Sequence, residues 1–336
     1  MIAPFALDPT AVTADYGDPA VTRATHEQFL RVWREYGALV HGTGGDGTGG
    51  IATAVAAIAD QGLRTKWQAA IKHQTRSPAP EGFPDLRSVE KADDLHSLER
   101  FVRVACLEPV RASCAGLEDA STILDGSTLE LCRFDCTTSA HTFAELEELR
   151  NRPIHKGDDC GEVWRTRFAP LVTNCKTVTV IDRYCLEDHR RFVRDKDPVK
   201  DGVSGLRRLC QGVDGSGRPH ILRIFASSPE DGSMNEDAAA LLLQAEMDRL
   251  GAGGMREIQL FYSLSSRVYK DAVHDRSIRF DERVCQVGYG VEVLDGRSVK
   301  KLCQFSMCFR DDGYRELERE LELRSRPRRV FTRHAK

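Results

Sequence analysis

A regular alternation of strand-like and helix-like segments in the second half of the chain constrains the fold most. The strand-like segments are rich in β-branched and aromatic residues, whereas the helix-like segments are amphipathic. Strands are expected at 176–186, 220–228, 256–264 and 300–310, with two more around a turn in 277–293, and helices at 162–172, 205–211, 235–251 and 311–323. This alternation is typical of a mixed β-sheet flanked by helices, so the sequence predicts an α/β fold.

The chain of 336 residues is long enough for two lobes. We predict an N-terminal α/β domain over 1–155, either a degenerate copy of the second domain or a separate recognition domain. The second domain is expected over 156–323 and a basic tail over 324–336. The last 14 residues hold five Arg and one Lys and no acid, which predicts a solvated, frayed terminus.

Composition excludes several classes of protein. Lys and Arg number 48 and Asp and Glu 51, so the net charge of −3 indicates no globally basic nucleic-acid binder, although a local basic patch stays open. The sequence shows neither a basic N-terminal leader nor an apolar run of about 20 residues. The 11 cysteines form no C-x-x-C pair. We therefore expect a cytoplasmic protein with reduced thiols, no structural metal and no cofactor.

A glycine-rich stretch at 42–50 contains Gly-Gly-Asp-Gly-Thr, a string also found in NAD kinases and diacylglycerol kinases. Glycines before a helix can form a phosphate-binding turn. No Gly-Lys-Ser or Gly-Lys-Thr accompanies the stretch, and the residues before it read as an irregular start, one helix and a short strand. A flexible surface connection is therefore favoured over a nucleotide-kinase site.

The motif with the most chemical content is His274, Arg276 and Asp281, in the pattern His-x-Arg-x4-Asp. On a strand, residues i and i+2 share one face, so His274 and Arg276 would point together. An imidazole can attack phosphorus, a neighbouring cation can hold the phosphoryl oxygens, and a carboxylate can orient a histidine ring. The alternative is a strand-end histidine bonded to a backbone carbonyl, followed by a solvated ion pair.

This stretch resembles the phospholipase D superfamily, whose motif is His-x-Lys-x4-Asp, and most closely the C-terminal phospholipase D-like domain of MIT-domain proteins. The resemblance covers about residues 160–322 and is strongest over 273–291. Gly288 and Gly290 match a Gly-x-Gly step of that domain, and Asp182 and Tyr184 match its Asp-x-Tyr step at a strand end. Without the resemblance, Asp182 and Tyr184 could equally be a strand-end cap and a tyrosine at the edge of the core.

The resemblance implies a metal-independent phosphodiesterase with a phosphodiester substrate. Our first hypothesis is a nuclease, as in bacterial defence proteins of this fold, with His274 as nucleophile and Arg276 and Asp281 as supporting catalytic residues. Asp182, Tyr184, Gly288 and Gly290 would support the phosphate site. Such enzymes use two histidines, and only one motif is visible, so activity would require a homodimer that pairs two His274 side chains or a second catalytic group from the N-terminal half.

The alternative hypothesis is a catalytically inactive module that binds phosphate-bearing lipid or nucleic acid, or a partner protein. Arginine stands where the superfamily has lysine, and the two cations are not interchangeable in geometry. Basic residues also follow the Asp182 strand and could line a nucleic-acid track. They are Arg183, His189, Arg190, Arg191, Arg194, Lys196, Arg207 and Arg208. Nearby acids favour ion-paired helix faces instead.

Overall fold

The structure, a computed structural model, describes residues 1–41, 50–88, 91–196, 201–251, 253–264, 276–310, 313–325 and 328–332. It divides into two compact units, one of Ile2–Leu149 and one of Met1 with Arg150–Lys336. Each unit contains a mixed β-sheet flanked by helices, so the predicted α/β class is confirmed. Within the described part of the chain, no helix is long and apolar enough to cross a membrane.

The first unit contains a six-stranded sheet in the order β3-β2-β1-β4-β6-β5, parallel except for the β5–β6 pair. Its strands are β1 (Ala3–Leu7), β2 (Gly37–His41), β3 (Arg76–Pro78), β4 (Val104–Leu107), β5 (Ser121–Ile123) and β6 (Glu130–Arg133). Its helices are α1 (Pro19–Tyr36), α2 (Ile51–Ala56), α3 (Gln61–His73), α4 (Pro109–Cys114) and α5 (His141–Arg150).

Aromatic side chains fill the first unit beside β1. The rings of Phe29 and Phe134 stack with centroids 4.6 Å apart, and Trp67 stacks on Phe29 at 5.4 Å. Phe5, on β1, meets Phe29 edge-on. The amphipathic pattern of α1 brings Phe29 to the core together with Trp33 and Tyr36, because positions three and four apart share one helix face. The reading of the first residues as irregular is wrong, since this short buried strand lacks the alternating pattern that identifies longer ones.

Two strands, β1 and β2, precede the glycine-rich stretch, and α2 follows it. The short strand expected before this stretch is β2, and β1 is a further strand in the segment that was expected to be irregular. Residues 42–49 themselves lie outside the described residues, and so does the expectation of a flexible loop there.

The second unit contains a seven-stranded sheet in the order β12-β11-β10-β7-β8-β9-β13. The strands are β7 (Thr177–Ile181), β8 (His220–Ser227), β9 (Met255–Ser263), β10 (Ser277–Phe280), β11 (Arg283–Val287), β12 (Phe305–Cys308) and β13 (Arg329–Thr332). Strands β7, β8 and β9 are parallel and the other pairs are antiparallel. This arrangement differs from the first sheet, so the first unit does not repeat the second.

Helices flank this sheet. They are α6 (Cys160–Val163) and α7 (Ala169–Thr173), joined by a π-helical turn, then α8 (Cys185–Asp195), α9 (Gly205–Asp214), α10 (Glu236–Arg249) and α11 (Tyr314–Arg324). All but α8 lie at predicted places; α8 was not predicted, and it begins within the strand expected over 176–186. A 3-10 turn occupies Gly290–Leu294. The predicted hairpin is confirmed, because β10 and β11 pair antiparallel from Ser277 with Gln286 to Phe280 with Arg283.

The basic tail is not entirely frayed. Residues Arg329–Thr332 form β13, which pairs antiparallel with β9. The Arg329 guanidinium bonds Glu236 and Asp237 in the first turn of α10, each at 2.7 Å. These carboxylates neutralise the charge that favoured a solvated tail, and Phe331 is buried against the unit. The expectation of a frayed terminus is therefore wrong for these four residues.

Candidate functional site

The register of the second sheet brings two of the sequence-predicted residues together. Asp182 directly follows β7, and Arg276 directly precedes β10. Because β10 runs antiparallel to β7 with Ser277 opposite Ile181, the next positions outward are Arg276 and Asp182. Their side chains meet, with Arg276 Nε 3.5 Å from Asp182 Oδ1. The meeting point is the carboxyl edge of the parallel strands, where open α/β sheets bind ligands.

Asp182 is buried and bonded to backbone. Its side chain is 1% exposed, and its oxygens accept hydrogen bonds from Tyr184 N at 3.1 Å and Val291 N at 3.2 Å. Burial raises the pKa of this carboxyl above its usual value, while Arg276 and the two backbone donors oppose the rise. Asp182 therefore links the end of β7 to the 3-10 turn after β11.

Position 290 has to be glycine, because its backbone lies too close to Asp182 and Arg276 to leave room for a Cβ atom. Its backbone lies in the left-handed region at φ +57°, and a Cβ atom here would be 1.9 Å from Asp182 Oδ2 and 2.8 Å from Arg276 Cδ. Gly288 differs, because a Cβ atom there would make only ordinary contacts, the nearest at 3.6 Å. Its N–H bonds Gln304 O at 3.0 Å. Of the two sequence-predicted glycines, the structure brings Gly290 into direct contact with Asp182.

The guanidinium of Arg276 is held by protein groups. Nη1 donates to Tyr289 O at 2.7 Å and lies 3.8 Å from Glu292 and 4.0 Å from Asp188. Its Cζ stands 4.8 Å from the centroid of the Tyr184 ring. Arg276 thus neutralises carboxylates and supports the turn that carries Gly290.

Asp188 is an unusual carboxyl in this cluster. It lies in the first turn of α8, and its Oδ2 atom is buried without a hydrogen-bond partner among the described residues. Burial, together with the nearby carboxylates Asp182 and Glu292, raises its pKa to about 7. Asp188 therefore changes charge near neutral pH, and perturbed groups of this kind cluster at functional sites.

The structure does not bring Asp281 to this cluster. Asp281 lies in the turn between β10 and β11, and its carboxylate accepts hydrogen bonds from Lys176 N at 2.9 Å and Thr177 N at 3.0 Å. These are the groups at the start of β7, whereas Arg276 lies at its end. The four residues of β10 lie between Arg276 and Asp281, which places the two Cα atoms roughly 16 Å apart along the strand. His274 lies outside the described residues, so Arg276 is the one predicted catalytic residue found here.

Replacing Asp281 by alanine is expected to destabilise the second unit by about 1–3 kcal/mol, because two N–H groups at the start of β7 lose their acceptor. The measurement is hydrogen exchange in peptides covering β7 and β10. The matched control is Glu282→Ala, which removes the neighbouring side chain that bonds the exposed Arg315. Equal exchange in the two variants would contradict this structural role.

Sequence reasoning missed Asp188, Glu292 and the part played by Arg183. The Cζ atom of Arg183 stands 4.3 Å from the centroid of the Tyr184 ring, which also contacts Arg276. An available signal was the Arg-Tyr pair directly after a strand-terminal Asp, since such residues lie at the ligand-binding edge. For Asp188, the neighbouring sequence gives one signal, its position in the first helical turn after that strand.

Most of the suspected basic track is ion-paired. Arg190 and Arg191 both bond Glu187, at 2.8 and 2.7 Å, and Arg194 bonds Asp195 at 2.6 Å. The buried His189 lies between Ser204 and Glu246, and Arg207 also bonds Glu246. Arg208 donates to two backbone carbonyls. The favoured interpretation, helix faces balanced by acids, agrees with these contacts.

The first unit has its own carboxyl edge, where the strand order reverses between β1 and β4. Asp8, after β1, accepts from Thr10 N at 3.0 Å and pairs with Arg111 Nε at 2.9 Å. Glu108, after β4, caps α4 through Arg111 N at 2.9 Å. Throughout the described ranges, no group of three or more His, Cys, Asp or Glu side chains could hold a metal ion.

A scan against protein-family models matches none of them, and a search of curated proteins gives no match to this chain. Function is therefore inferred from the geometry around Asp182 and Arg276.

Proposed function

We propose that the second unit is a phospholipase D-like module that binds a phosphate-bearing ligand at the carboxyl edge of its sheet without cleaving it. The landmarks that carry the resemblance support this proposal, because Asp182 and Tyr184 are far in sequence from Arg276 and Gly290, yet all four lie in one cluster. Ligand sites in open α/β sheets lie at this edge.

The non-catalytic assignment depends on one observation, which is that protein groups already bind the guanidinium of Arg276. A cation that stabilises a phosphoryl transition state must direct its donors at the reacting oxygens. Arg276 instead donates to Tyr289 O and faces the carboxylates of Asp182 and Glu292. Asp281 is bonded to the start of β7, so its place in the His-x-Arg-x4-Asp pattern is better explained by a framework role.

A metal-independent phosphodiesterase, in particular a nuclease with His274 as nucleophile, is the second candidate. One observation favours it. A pKa of about 7 suits Asp188 to donate or accept a proton near neutral pH, as the second histidine does in the superfamily. In that case a single chain would carry both the nucleophile and the acid, without a homodimer.

The test separates binding from cleavage in one sample. The protein is incubated with a fluorescent single-stranded oligonucleotide and with plasmid, in EDTA, and both anisotropy and strand length are recorded. We expect salt-sensitive binding and intact strands, with no difference in strand length between the wild type and His274→Ala. Cleavage that disappears in both His274→Ala and Asp188→Asn would replace the proposed function by the nuclease.

A further inference from the structure

We infer that the cation that contacts the ligand's phosphate is Arg183, held on the ring of Tyr184, and that the motif arginine Arg276 is not that contact. This inference rests on the function proposed above and names the residue that would carry it. Arg183 follows Asp182 directly, so it stands at the same carboxyl edge of the sheet.

The two arginines on Tyr184 differ in their partners. Arg276 contacts the ring at 4.8 Å and is also bonded to Tyr289 O and close to three carboxylates. Arg183 contacts the ring at 4.3 Å, and no carboxylate of the described residues pairs with its guanidinium. Its donors are therefore available to an anion, whereas those of Arg276 face protein acceptors.

The position of Arg183 is fixed by its surroundings. Its backbone carbonyl accepts a hydrogen bond from Ser227 N at 3.3 Å, which ties it to the end of β8. The aromatic face of Tyr184 holds the guanidinium by a cation–π contact. A planar guanidinium restrained in this way loses little conformational entropy on binding and presents paired N–H donors that match two oxygens of a phosphate group.

A second cation, Lys301, lies over the ring of the other tyrosine of the cluster, Tyr289. Lys301 Nζ lies 5.4 Å from the centroid of the Tyr289 ring, and no described carboxylate pairs with it. The Tyr289 carbonyl is the acceptor for Arg276. Arg276 thus contacts both tyrosines, Tyr184 at its ring and Tyr289 at its carbonyl oxygen. Arg183 and Lys301 lie over the rings of these tyrosines and pair with no carboxylate of the described residues. The cluster therefore has two such positive charges beside the neutralised Arg276. A phosphate group fits this distribution of charge.

The charge of Asp188 sets a pH dependence for such binding. The groups that face Asp188 are Asp182 after β7, Arg276 before β10, and Glu292 and Asp295 on the 3-10 turn and its end. Since the pKa of Asp188 is about 7 and that of Asp295 about 6, both lose negative charge as the pH falls. Because a phosphate-type anion also takes up a proton in this range, the comparison is made with Asp188→Asn: the affinity of the wild type should rise relative to that of the variant as the pH falls from about 8 to about 6.

The inference is tested by titration calorimetry of the full chain with inorganic pyrophosphate at low ionic strength. We expect Arg183→Gln to weaken binding about tenfold or more, as the loss of a charge-assisted contact predicts. Tyr184→Leu, which removes the supporting ring, should weaken it less. The matched control is Arg191→Gln, which removes an exposed arginine of α8 that bonds Glu187 and should leave the affinity unchanged.

The outcomes separate the inference from the proposed function. Unchanged affinity in Arg183→Gln, with binding lost in a folded Arg276→Gln variant, would overturn the inference alone. No binding of pyrophosphate by the wild type would overturn the proposed function and the inference with it. Sedimentation with vesicles of phosphatidylcholine, with and without phosphatidic acid, then identifies the source. Arg183-dependent sedimentation supports a lipid headgroup, and its absence beside pyrophosphate binding supports a free phosphate.

Discussion

Asp188→Asn is expected to stabilise the second unit by about 2–4 kcal/mol at pH 8, since each unit of pKa shift corresponds to about 1.4 kcal/mol. Burial and the carboxylates of Asp182 and Glu292 raise the pKa of Asp188 from 3.8 to about 7. The folded state therefore holds the proton more tightly than the unfolded state. The ionised carboxylate lowers the free energy of unfolding at any pH above 7, and this cost disappears as the pH falls from 7 to 3.8.

The measurement is hydrogen exchange of peptides from the second unit at about pH 8 and, after correction for intrinsic exchange rates, at about pH 4. The expected gain in protection at pH 8 should vanish at pH 4, where both wild type and variant are neutral at this position. Asp195→Asn is the control, because that side chain lies on the same helix and is solvent-exposed. A gain of equal size at both pH values would show that charge is not the cause.

A stabilising substitution at this position would itself be informative. A folded protein that retains a destabilising carboxyl beside an arginine often does so because the group serves a ligand. Asp188→Asn should therefore separate stability from function, raising the first while reducing the pH dependence of pyrophosphate binding. This separation distinguishes a functional carboxyl from one that merely completes an ion pair.

Gly290→Ala is expected to destabilise the second unit by about 2–4 kcal/mol, by forced overlap and backbone strain. The new methyl group would lie 1.9 Å from Asp182 Oδ2, so Asp182 or the 3-10 turn must move. Moving Asp182 breaks its bond from Val291 N and its contact with Arg276. The left-handed φ of +57° adds to the cost, since residues with a Cβ atom rarely adopt it.

Gly288→Ala is the matched control two residues away. A Cβ atom there has its nearest neighbours at 3.6 Å and the backbone needs no left-handed conformation, so we expect a loss below about 1 kcal/mol. Thermal unfolding of both variants, with pyrophosphate titration of any that fold, checks the pair. Similar losses in the two variants would show that the close approach of Gly290 to Asp182 does not govern this site.

Much of the second unit could be predicted because its information is local. The period-2 pattern over 277–287 specifies a hairpin, and the β-branched run ending at Ile181 specifies a strand that must end near Asp182. A residue at the end of a parallel strand lies at the ligand-binding edge whatever the other details. Asp182 and Tyr184 follow such a strand end, but their role, like that of Gly290 in the turn after β11, was expected from the family resemblance and not from the pattern alone.

The charged contacts could not be predicted in the same way. The His-x-Arg-x4-Asp spacing is compatible with one cluster, yet an extended strand carries Arg276 and Asp281 to opposite ends of β10. Arg183 and Arg276 are both arginines next to strand ends. The carboxylates near each arginine decide which guanidinium is neutralised within the protein and which is available to a ligand, and the positions of these carboxylates depend on the tertiary structure.

Hydrophobic periodicity predicts the α/β class and most strands and helices of the second half, because it is a property of neighbouring residues. The packing of distant segments is needed to show that Asp188 Oδ2 is buried beside Asp182 and Glu292, that Asp281 bonds the start of β7 and that Arg329 pairs with β9 and bonds Glu236. Burial and charge pairing depend on groups distant along the chain, and the pKa values and partners that follow from them exist only once the strands have met.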